Sequence, residues 1–336
     1  MKPESITAGD VLAAVADTGS FRSWVIPGEA LDAGAEAVQI GEVRIRGRRV
    51  AVIISDFACQ AGSLGRATAN RIVGALRTAA ALDLPVFASP ASGGTRIDEG
   101  TPAFVKMIDI AAAARAHRES GQVMVVWVRH PTTGGTMATW ASLGQITFGQ
   151  PGATAGFLGP RLFEPLIGRS LPDGVQTTDN LARVGIIDGL LGLDELRPVL
   201  DRTLSVTTGS PGEAVAGSGE AAQPAVNAEG LAGLFAASSE VTELLGTGAG
   251  ERSAAVRVAL ARVAGQRCVI VGQDRLAQSG GDPLGPGALR FARRGIRLAD
   301  ELRLPLVTVI DTEGGELSAA AEERALAGEI ARCLAD

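Results

Sequence analysis

Side chains that commonly serve as acids, bases or nucleophiles are scarce in this sequence. Its 336 residues include no tyrosine, two histidines and three cysteines. The cysteines, Cys59, Cys268 and Cys333, stand far apart, which suits a reducing compartment and offers neither a disulfide framework nor the paired spacing of a zinc site. We therefore expect no metal, and we expect any catalysis to depend on backbone groups.

Long apolar runs and basic clusters are also missing. No stretch of about 18 apolar residues occurs, and the first residues include acids and glycine where a signal peptide has a basic flank and an apolar block. With 31 basic and 37 acidic residues the net charge is -6, and the basic runs are short. Binding to nucleic acid or a membrane is not expected, and the sequence predicts a cytoplasmic protein.

Glycine is abundant, with 44 residues. Short apolar runs alternate with segments of helical spacing, and glycines lie between them. Residues 36–57 predict two β-strands joined at Arg46, Gly47 and Arg48, and helical spacing follows at 67–84 and 101–120. Short buried strands are predicted after these helices. A repeated order of strand, turn and helix is typical of an α/β fold with parallel strands.

The later part of the chain repeats the earlier part. The segment that begins at Arg46 is similar to the one that begins at Ala264, and the segment from Ala75 is similar to the one from Gly295. Matching landmarks lie 218 to 221 residues apart, namely Gly47 with Gly265, Pro85 with Pro305, and Gly93 with Gly314. Two related α/β units are therefore predicted.

Composition suggests where these units divide. Residues 209–228 are small, contain proline and lack apolar periodicity, as flexible linkers do. We expect a first domain at 1–208 and a second at 229–336. The first copy contains a strand and turn at 123–140 whose counterpart would fall near 344–361, so the second copy is predicted to be incomplete.

Two glycine-rich turns are the strongest candidates for a functional site. Residues 92–96 follow one predicted strand, residues 132–135 follow the next, and each turn leads into a helix. Successive N–H groups at the start of a helix, unshielded because glycine has no Cβ, can stabilise an oxygen that becomes negatively charged. The alternative is that these glycines only permit positive φ in a tight turn.

Few ionisable side chains accompany the turns. Arg96 can bind a carboxylate or phosphate, or it can form a salt bridge with Asp98 or Glu99. His130 precedes the second turn and is expected to position it at most. His117 is expected to be a solvated helix residue.

Three segments, in order, resemble a known family: SGGTRIDEG at 92–100, HPTTGGTMATWASLGQITFGQPGATAGFLGPR at 130–161, and LPDGVQTTDNLARVGIIDGLL at 171–191. Over about residues 20–205 the chain resembles the carboxyltransferase β subunit of bacterial acetyl-CoA carboxylase. Residues 240–336 resemble the α subunit of that enzyme less tightly. The resemblance implies a β–α fusion of two crotonase-like copies, built of ββα units, with the second copy incomplete.

The resemblance also implies a reaction, in which a carboxyl group passes from carboxybiotin on a biotin carboxyl carrier protein to the α-carbon of an acyl-CoA. Acetyl-CoA is the expected substrate, malonyl-CoA the product and fatty acid biosynthesis the setting. Biotin carboxylase is a further expected partner, and the assembly is expected to be a homo-oligomer. The implied catalytic residues are Gly134 and Gly135, and the implied substrate-binding residues are Gly93, Gly94, Arg96 and Thr133.

The sequence also departs from the family. The four-cysteine zinc ribbon of the bacterial β subunit is missing, and the α-type turn is altered at Asp311–Ser318. The family's second glycine pair, which holds the biotin carbonyl, is not found in the sequence, so this chain alone is expected to be inactive if nothing else supplies that pair. Two alternatives stay open: decarboxylation of a malonyl thioester, which needs no biotin, and a non-catalytic assembly subunit.

Overall fold

The computed structural model describes residues 3–26, 36–208 and 230–336, which form two compact units. The first comprises the chain up to Ala182 together with Gly189–Asp201, and the second comprises Arg183–Asp188 together with Arg202–Asp336. The linker predicted at 209–228 lies outside the described residues. In the described ranges, no helix combines the length and the apolar character needed to cross a membrane.

The first unit is built on a seven-stranded sheet. Its strands pair in the order β1-β2-β3-β4-β5-β7-β9, and two further short strands, β6 and β8, pair with each other. The bounds are β1 (Arg22–Ser23), β2 (Val38–Ile45), β3 (Arg48–Ser55), β4 (Val86–Ser89), β5 (Met124–Val128), β6 (Thr132–Thr133), β7 (Ile146–Gly149), β8 (Ala155–Gly156) and β9 (Gly189–Leu190). From β3 to β9 each pair of neighbours is parallel, which confirms the predicted α/β fold.

The helices up to residue 207 are α1 (Ala8–Val15), α2 (Arg66–Ala81), α3 (Thr101–Glu119), α4 (Gly134–Met137), α5 (Pro160–Ile167), α6 (Thr178–Arg183) and α7 (Leu196–Thr207). Some of them connect parallel strands, because a parallel pair needs a long crossover. The helix α2 crosses from β3 to β4, and α3 crosses from β4 to β5. Strands β4 and β5 are buried along their whole length, as expected for a parallel sheet covered on both faces.

The expectation for His117 is wrong, because its side chain is fully buried on α3. The ring Nε2 lies 2.9 Å from Leu84 O, and burial lowers the pKa of His117. The alanine-rich face of α3 explains the error. Ala113 and Ala114 are buried, and His117, one turn later on the same face, is buried with them.

The second unit contains a four-stranded sheet in the order β10 (Ser239–Leu244), β11 (Val256–Val263), β12 (Gln266–Gln273) and β13 (Leu306–Val309). Its helices are α8 (Gly230–Ala236), α9 (Arg275–Ser279), α10 (Pro286–Glu301), α11 (Ala319–Glu323) and α12 (Leu326–Ala335). The first three strands are antiparallel neighbours, and β13 is parallel to β12. The crossover from β12 to β13 is α10, as α2 is in the first unit.

The structure confirms the internal repeat. The β2–β3 hairpin turns at Arg46 and Gly47, with φ of 46° and 83°, and the β11–β12 hairpin turns at Ala264 and Gly265, with φ of 48° and 79°. Two successive left-handed residues give the tight turn that matches the twist of a hairpin. The helices α2 and α10 each contain 16 residues and each follow a glycine N-cap.

One pairing within the repeat is corrected by a single residue, since Gly314 corresponds to Gly94 rather than to Gly93. Both have positive φ, 122° for Gly94 and 116° for Gly314. Gly94 N donates to Ser92 Oγ at 3.1 Å, and Gly314 N donates to Thr312 Oγ1 at 3.0 Å. Adjacent glycines let a sequence match slide by one position, whereas these hydrogen bonds define the register.

The described part of the second unit contains no strand that corresponds to β5 of the first unit. In the first unit β4 pairs on its far side with β5, and Val86 at its start is 1% exposed. In the second unit Leu306 at the start of β13 is 39% exposed. Across the described ranges no strand pairs with the outer edge of β13.

Candidate active site

The two glycine-rich turns lie side by side beyond the carboxyl ends of β4 and β5. Ser92 forms a parallel bridge with Thr132, and Thr133 N donates to Ser92 O at 3.0 Å. Loops that follow neighbouring parallel strands meet at the same edge of a sheet, which is where α/β proteins place their ligands. The structure therefore brings five of the predicted site residues together: Gly93, Gly94, Thr133, Gly134 and Gly135.

Glycine is required where the turns touch. A Cβ on Gly134 would lie 2.8 Å from Gly94 Cα, and Gly134 has a φ of +63°. Gly94 has a φ of +122°. A larger residue at either position would be strained or would push the turns apart. At Gly94 and Gly134, therefore, glycine is needed because it permits positive φ in a tight turn.

Gly134 and Gly135 differ in what their amide groups contact. Gly134 N donates to Phe157 O at 2.8 Å, so this donor is used within the fold. Gly135 is the second residue of α4, where N–H groups have no acceptor inside the helix. In the part of the chain that the structure describes, Gly135 N has no acceptor. Gly135 is buried, and a buried N–H without an acceptor is rare and costly, which points to a ligand.

The first turn shows the same division. Gly93 N donates to Ala61 O, in the loop that follows β3, at 2.8 Å, and Gly94 N donates to the Ser92 hydroxyl. Among the described residues there is no acceptor for Thr95 N. This nitrogen lies 3.5 Å from the position that a Cβ on Gly134 would take, so it is close to the second turn.

A cavity of about 610 Å³ adjoins the first turn and is lined by Gln60, Ser63 and residues 95–99. Thr95 connects this cavity with the second turn, because Thr95 Oγ1 is 2.6 Å from the Cβ position of Gly135. Met107 Sδ lies at the same distance from that position. The volume is in the range of small-molecule sites, so a ligand in the cavity could reach both turns.

Arg96 lies in the wall of this cavity, but its guanidinium is engaged within the protein. It pairs with Glu36 at 2.8 Å and with Glu99 at 3.3 Å, and it donates to Thr68 Oγ1 at 3.0 Å. Burial opposes the charge of Glu36, yet hydrogen bonds from Arg96 and Thr68 lower the pKa of that carboxyl. The salt bridge to Glu99 is one of the two possibilities that the sequence leaves open for Arg96, the other being a contact with a ligand. The pairing with Glu36 is not predicted from the sequence.

The residues just before the second turn fix its backbone. His130 Nδ1 accepts the N–H of Thr154 at 3.1 Å, and burial lowers the pKa of His130, which favours the neutral ring that this contact needs. Arg129 is fully buried and donates to groups at the ends of two strands, Ser55 of β3 and Ser89 of β4. Sequence reasoning misses Arg129, although an arginine directly after the apolar run of β5 is a signal that could identify it.

The chemistry that this arrangement supports is the stabilisation of a negatively charged oxygen by main-chain donors. Two amides without acceptors, Thr95 N and Gly135 N, belong to adjoining turns beside one cavity. Within residues 3–26, 36–208 and 230–336, no group of His, Cys, Asp or Glu side chains is arranged to hold a metal ion.

Comparison with known proteins gives two family matches. The family described as carboxyl transferase domain matches residues 24–229. The family described as acetyl co-enzyme A carboxylase carboxyltransferase-like matches residues 233–336.

Curated relatives cover nearly the whole chain. A probable biotin-dependent acyl-coenzyme A carboxylase beta3 subunit of Mycobacterium tuberculosis is 46% identical over 360 residues, which span 98% of this chain and 72% of that protein. The acetyl-coenzyme A carboxylase carboxyl transferase subunits beta/alpha of Salinispora arenicola are 33% identical over 328 residues, which span 88% of this chain and 58% of that protein.

Solved structures share the fold. The transcarboxylase 12S structure superposes with a TM-score of 0.79 at 21% identity, covering 97% of this chain and 67% of that one. A single-chain, multi-domain long-chain acyl-CoA carboxylase superposes with a TM-score of 0.74 at 18% identity, covering 97% and 35%. These likenesses confirm the crotonase-like fold expected from the sequence.

Proposed function

This chain belongs to the carboxyl transferase family, and from that premise we propose that it transfers a carboxyl group to the α-carbon of an acyl-CoA. The donor in this proposal is carboxybiotin held on a biotin carboxyl carrier protein, so biotin is not attached to this chain. The relatives support the assignment, because one is named a biotin-dependent acyl-coenzyme A carboxylase subunit and another a carboxyl transferase.

The observation that carries the proposal is the pair of amides without acceptors, Thr95 N and Gly135 N, beside the cavity. When the α-proton leaves a thioester, negative charge moves to the thioester oxygen. Donors that the fold holds in place stabilise this charge in the transition state more than they stabilise the neutral substrate. In the overall reaction the C–N bond of the donor breaks, a C–C bond forms at the α-carbon, and the proton that leaves the α-carbon ends on the donor nitrogen.

The other predicted site residues have supporting roles in this proposal. Gly134 and Gly94 allow the two turns to approach each other, and Gly93 lines the acyl-CoA side. Thr133 Oγ1 donates to Ser92 O at 3.3 Å and holds the second turn against the first. Arg96 would contact an anionic part of the substrate only by giving up one of its carboxylate partners.

We further propose that the substrate is acetyl-CoA and the product malonyl-CoA, which would place the reaction in fatty acid biosynthesis. The partners in this proposal are the carrier protein, the biotin carboxylase that loads it, and further copies of this chain. The resemblance of residues 233–336 to the acetyl-CoA carboxylase family supports this finer assignment.

A reconstituted assay tests the function. The purified chain is mixed with carboxybiotinylated carrier protein and a panel of acyl-CoAs, and carboxylated acyl-CoA is measured with labelled bicarbonate as the source of the carboxyl group. We expect product only with carboxylated carrier, and most product with acetyl-CoA. Loss of carbon dioxide from a malonyl thioester without carrier would favour the decarboxylase. A folded protein with neither activity would favour an assembly subunit.

A further inference from the structure

A buried arginine connects the amino-terminal segment with the second glycine-rich turn. Arg129 follows β5 directly, and its side chain is 0% exposed. Its Nη1 donates to Ile6 O at 2.9 Å, and its Nε donates to Ser89 Oγ at 2.9 Å. One side chain therefore spans from residue 6 to the end of the central sheet.

The same guanidinium gathers the ends of adjacent strands. Its Nη2 donates to Ser55 O, on the last residue of β3, and to Ser89 O, on the last residue of β4, at 3.0 Å. The backbone of Arg129 also takes part, because its carbonyl accepts Thr132 Oγ1 at 2.8 Å. Arg129 thus joins β3, β4 and the end of β5 at the edge from which both glycine-rich turns emerge.

Gln150 makes a second connection of the same kind and is 4% exposed. Its Oε1 accepts the N–H of His130 at 2.9 Å, while its Nε2 donates to Glu4 O at 2.8 Å. The segment that these two side chains hold, Glu4–Ile6, leads into α1, whose start is closed by a capping box between Thr7 and Asp10. The amino-terminal segment is therefore held along its length.

Arg129 is a cation in a buried position. Burial lowers the pKa of Arg129 to about 10, so the side chain is charged at neutral pH. The carboxylates of Asp56 and Asp10 are near enough for their charges to favour the cation, although in the described ranges neither forms a salt bridge with it. A buried cation is costly unless hydrogen bonds satisfy it, and here Nε, Nη1 and Nη2 all donate to groups of the fold. What the guanidinium adds is a set of directed hydrogen bonds.

We propose that Arg129 is a positioning residue for carboxyl transfer: by holding Ile6 and the ends of β3 and β4, it fixes the backbone of Thr132–Gly135 and the direction of Gly135 N. Gln150 supports the same backbone through His130 N. This inference rests on the proposed function. A misplacement of about 1 Å in a catalytic group can lower a rate by roughly 100-fold, so the turn must be held firmly.

The test compares Arg129→Met, Arg129→Lys and Gln150→Glu with the wild-type chain. The Gln150→Glu variant retains an acceptor for His130 N and loses the donor to Glu4 O. The control is Arg48→Met, because Arg48 is a largely buried arginine at the opposite end of β3, paired with Asp201 at 2.5 Å. All rates are measured at a temperature at which circular dichroism shows each protein fully folded.

We expect kcat to fall by about 10- to 100-fold in Arg129→Met and less in Arg129→Lys and Gln150→Glu, while KM for acyl-CoA changes by less than about threefold. Hydrogen exchange of the amides at 132–139 should become faster in both Arg129 variants and remain unchanged in Arg48→Met. A kcat equal to that of Arg48→Met, or unchanged exchange at 132–139, would overturn the proposal.

The two readouts separate this inference from the proposed function. If the wild-type chain transfers no carboxyl group, the proposed function fails. The exchange comparison then still decides whether Arg129 holds the turn, because it requires no substrate.

Discussion

Replacing Gly135 by proline removes the N–H group that we place on the enolate oxygen, whereas replacing it by alanine keeps that group. Both variants add a Cβ 2.6 Å from Met107 Sδ and from Thr95 Oγ1, so both must displace these side-chain atoms. Proline is tolerated in the first turn of a helix, since no intrahelical hydrogen bond is lost there. Gly134, the preceding residue, has no Cβ to clash with the ring.

The expected difference between these two variants follows from the loss of a single donor. Removing one oxyanion-hole donor typically lowers kcat by about 100- to 1000-fold, equivalent to roughly 2.7–4 kcal/mol in transition-state stabilisation. The Cβ contacts are common to both variants and largely cancel in their ratio. We therefore expect Gly135→Pro to have a kcat at least about 100-fold below that of Gly135→Ala.

The assay measures initial rates of acyl-CoA carboxylation at saturating carboxylated carrier over a range of acyl-CoA concentrations. Thermal unfolding of both variants checks that they fold equally well. A Gly134→Ala variant provides a contrast, because its Cβ would meet the backbone of Gly94 at 2.8 Å and should lower stability. Equal kcat values for the proline and alanine variants, with equal melting temperatures, would refute the role of Gly135 N.

Two further predictions concern ionisable residues of the first unit. Replacing Arg96 by alanine leaves Glu36 and Glu99 without their cation, so urea unfolding should show a loss of roughly 2–3 kcal/mol, less than a fully buried pair loses. An unchanged free energy of unfolding with a raised KM for acyl-CoA would instead identify Arg96 as a substrate contact. Because burial lowers the pKa of His117, the unfolded chain takes up a proton at higher pH than the native protein. Stability should therefore fall as the pH drops below about 6.5, by at most about 1.4 kcal/mol per pH unit for this group. His117→Gln, which keeps a donor for Leu84 O, should show a smaller slope in urea unfolding, and equal slopes would contradict this explanation.

Much of the architecture could be predicted from the sequence because its causes are local. Strands β3 to β5 and helices α2 and α3 follow from apolar periodicity and glycine punctuation. The hairpin turns at Gly47 and Gly265 need positive φ, which glycine allows, so their spacing shows the repeat directly. The two glycine-rich turns could be found in the same way, since each follows a recognisable strand.

The sequence alone determined that this chain is an α/β protein of two related copies, with its candidate donors at the turns after neighbouring strands. Only the tertiary structure decided which donors are available. Gly134 N donates a hydrogen bond to Phe157 O, whereas Gly135 N has no acceptor among the described residues. Arg96 pairs with Glu36, which lies 60 residues earlier in the chain. Helix and strand signals arise from neighbouring residues, but the partner of a particular amide or guanidinium depends on which distant segments pack against it.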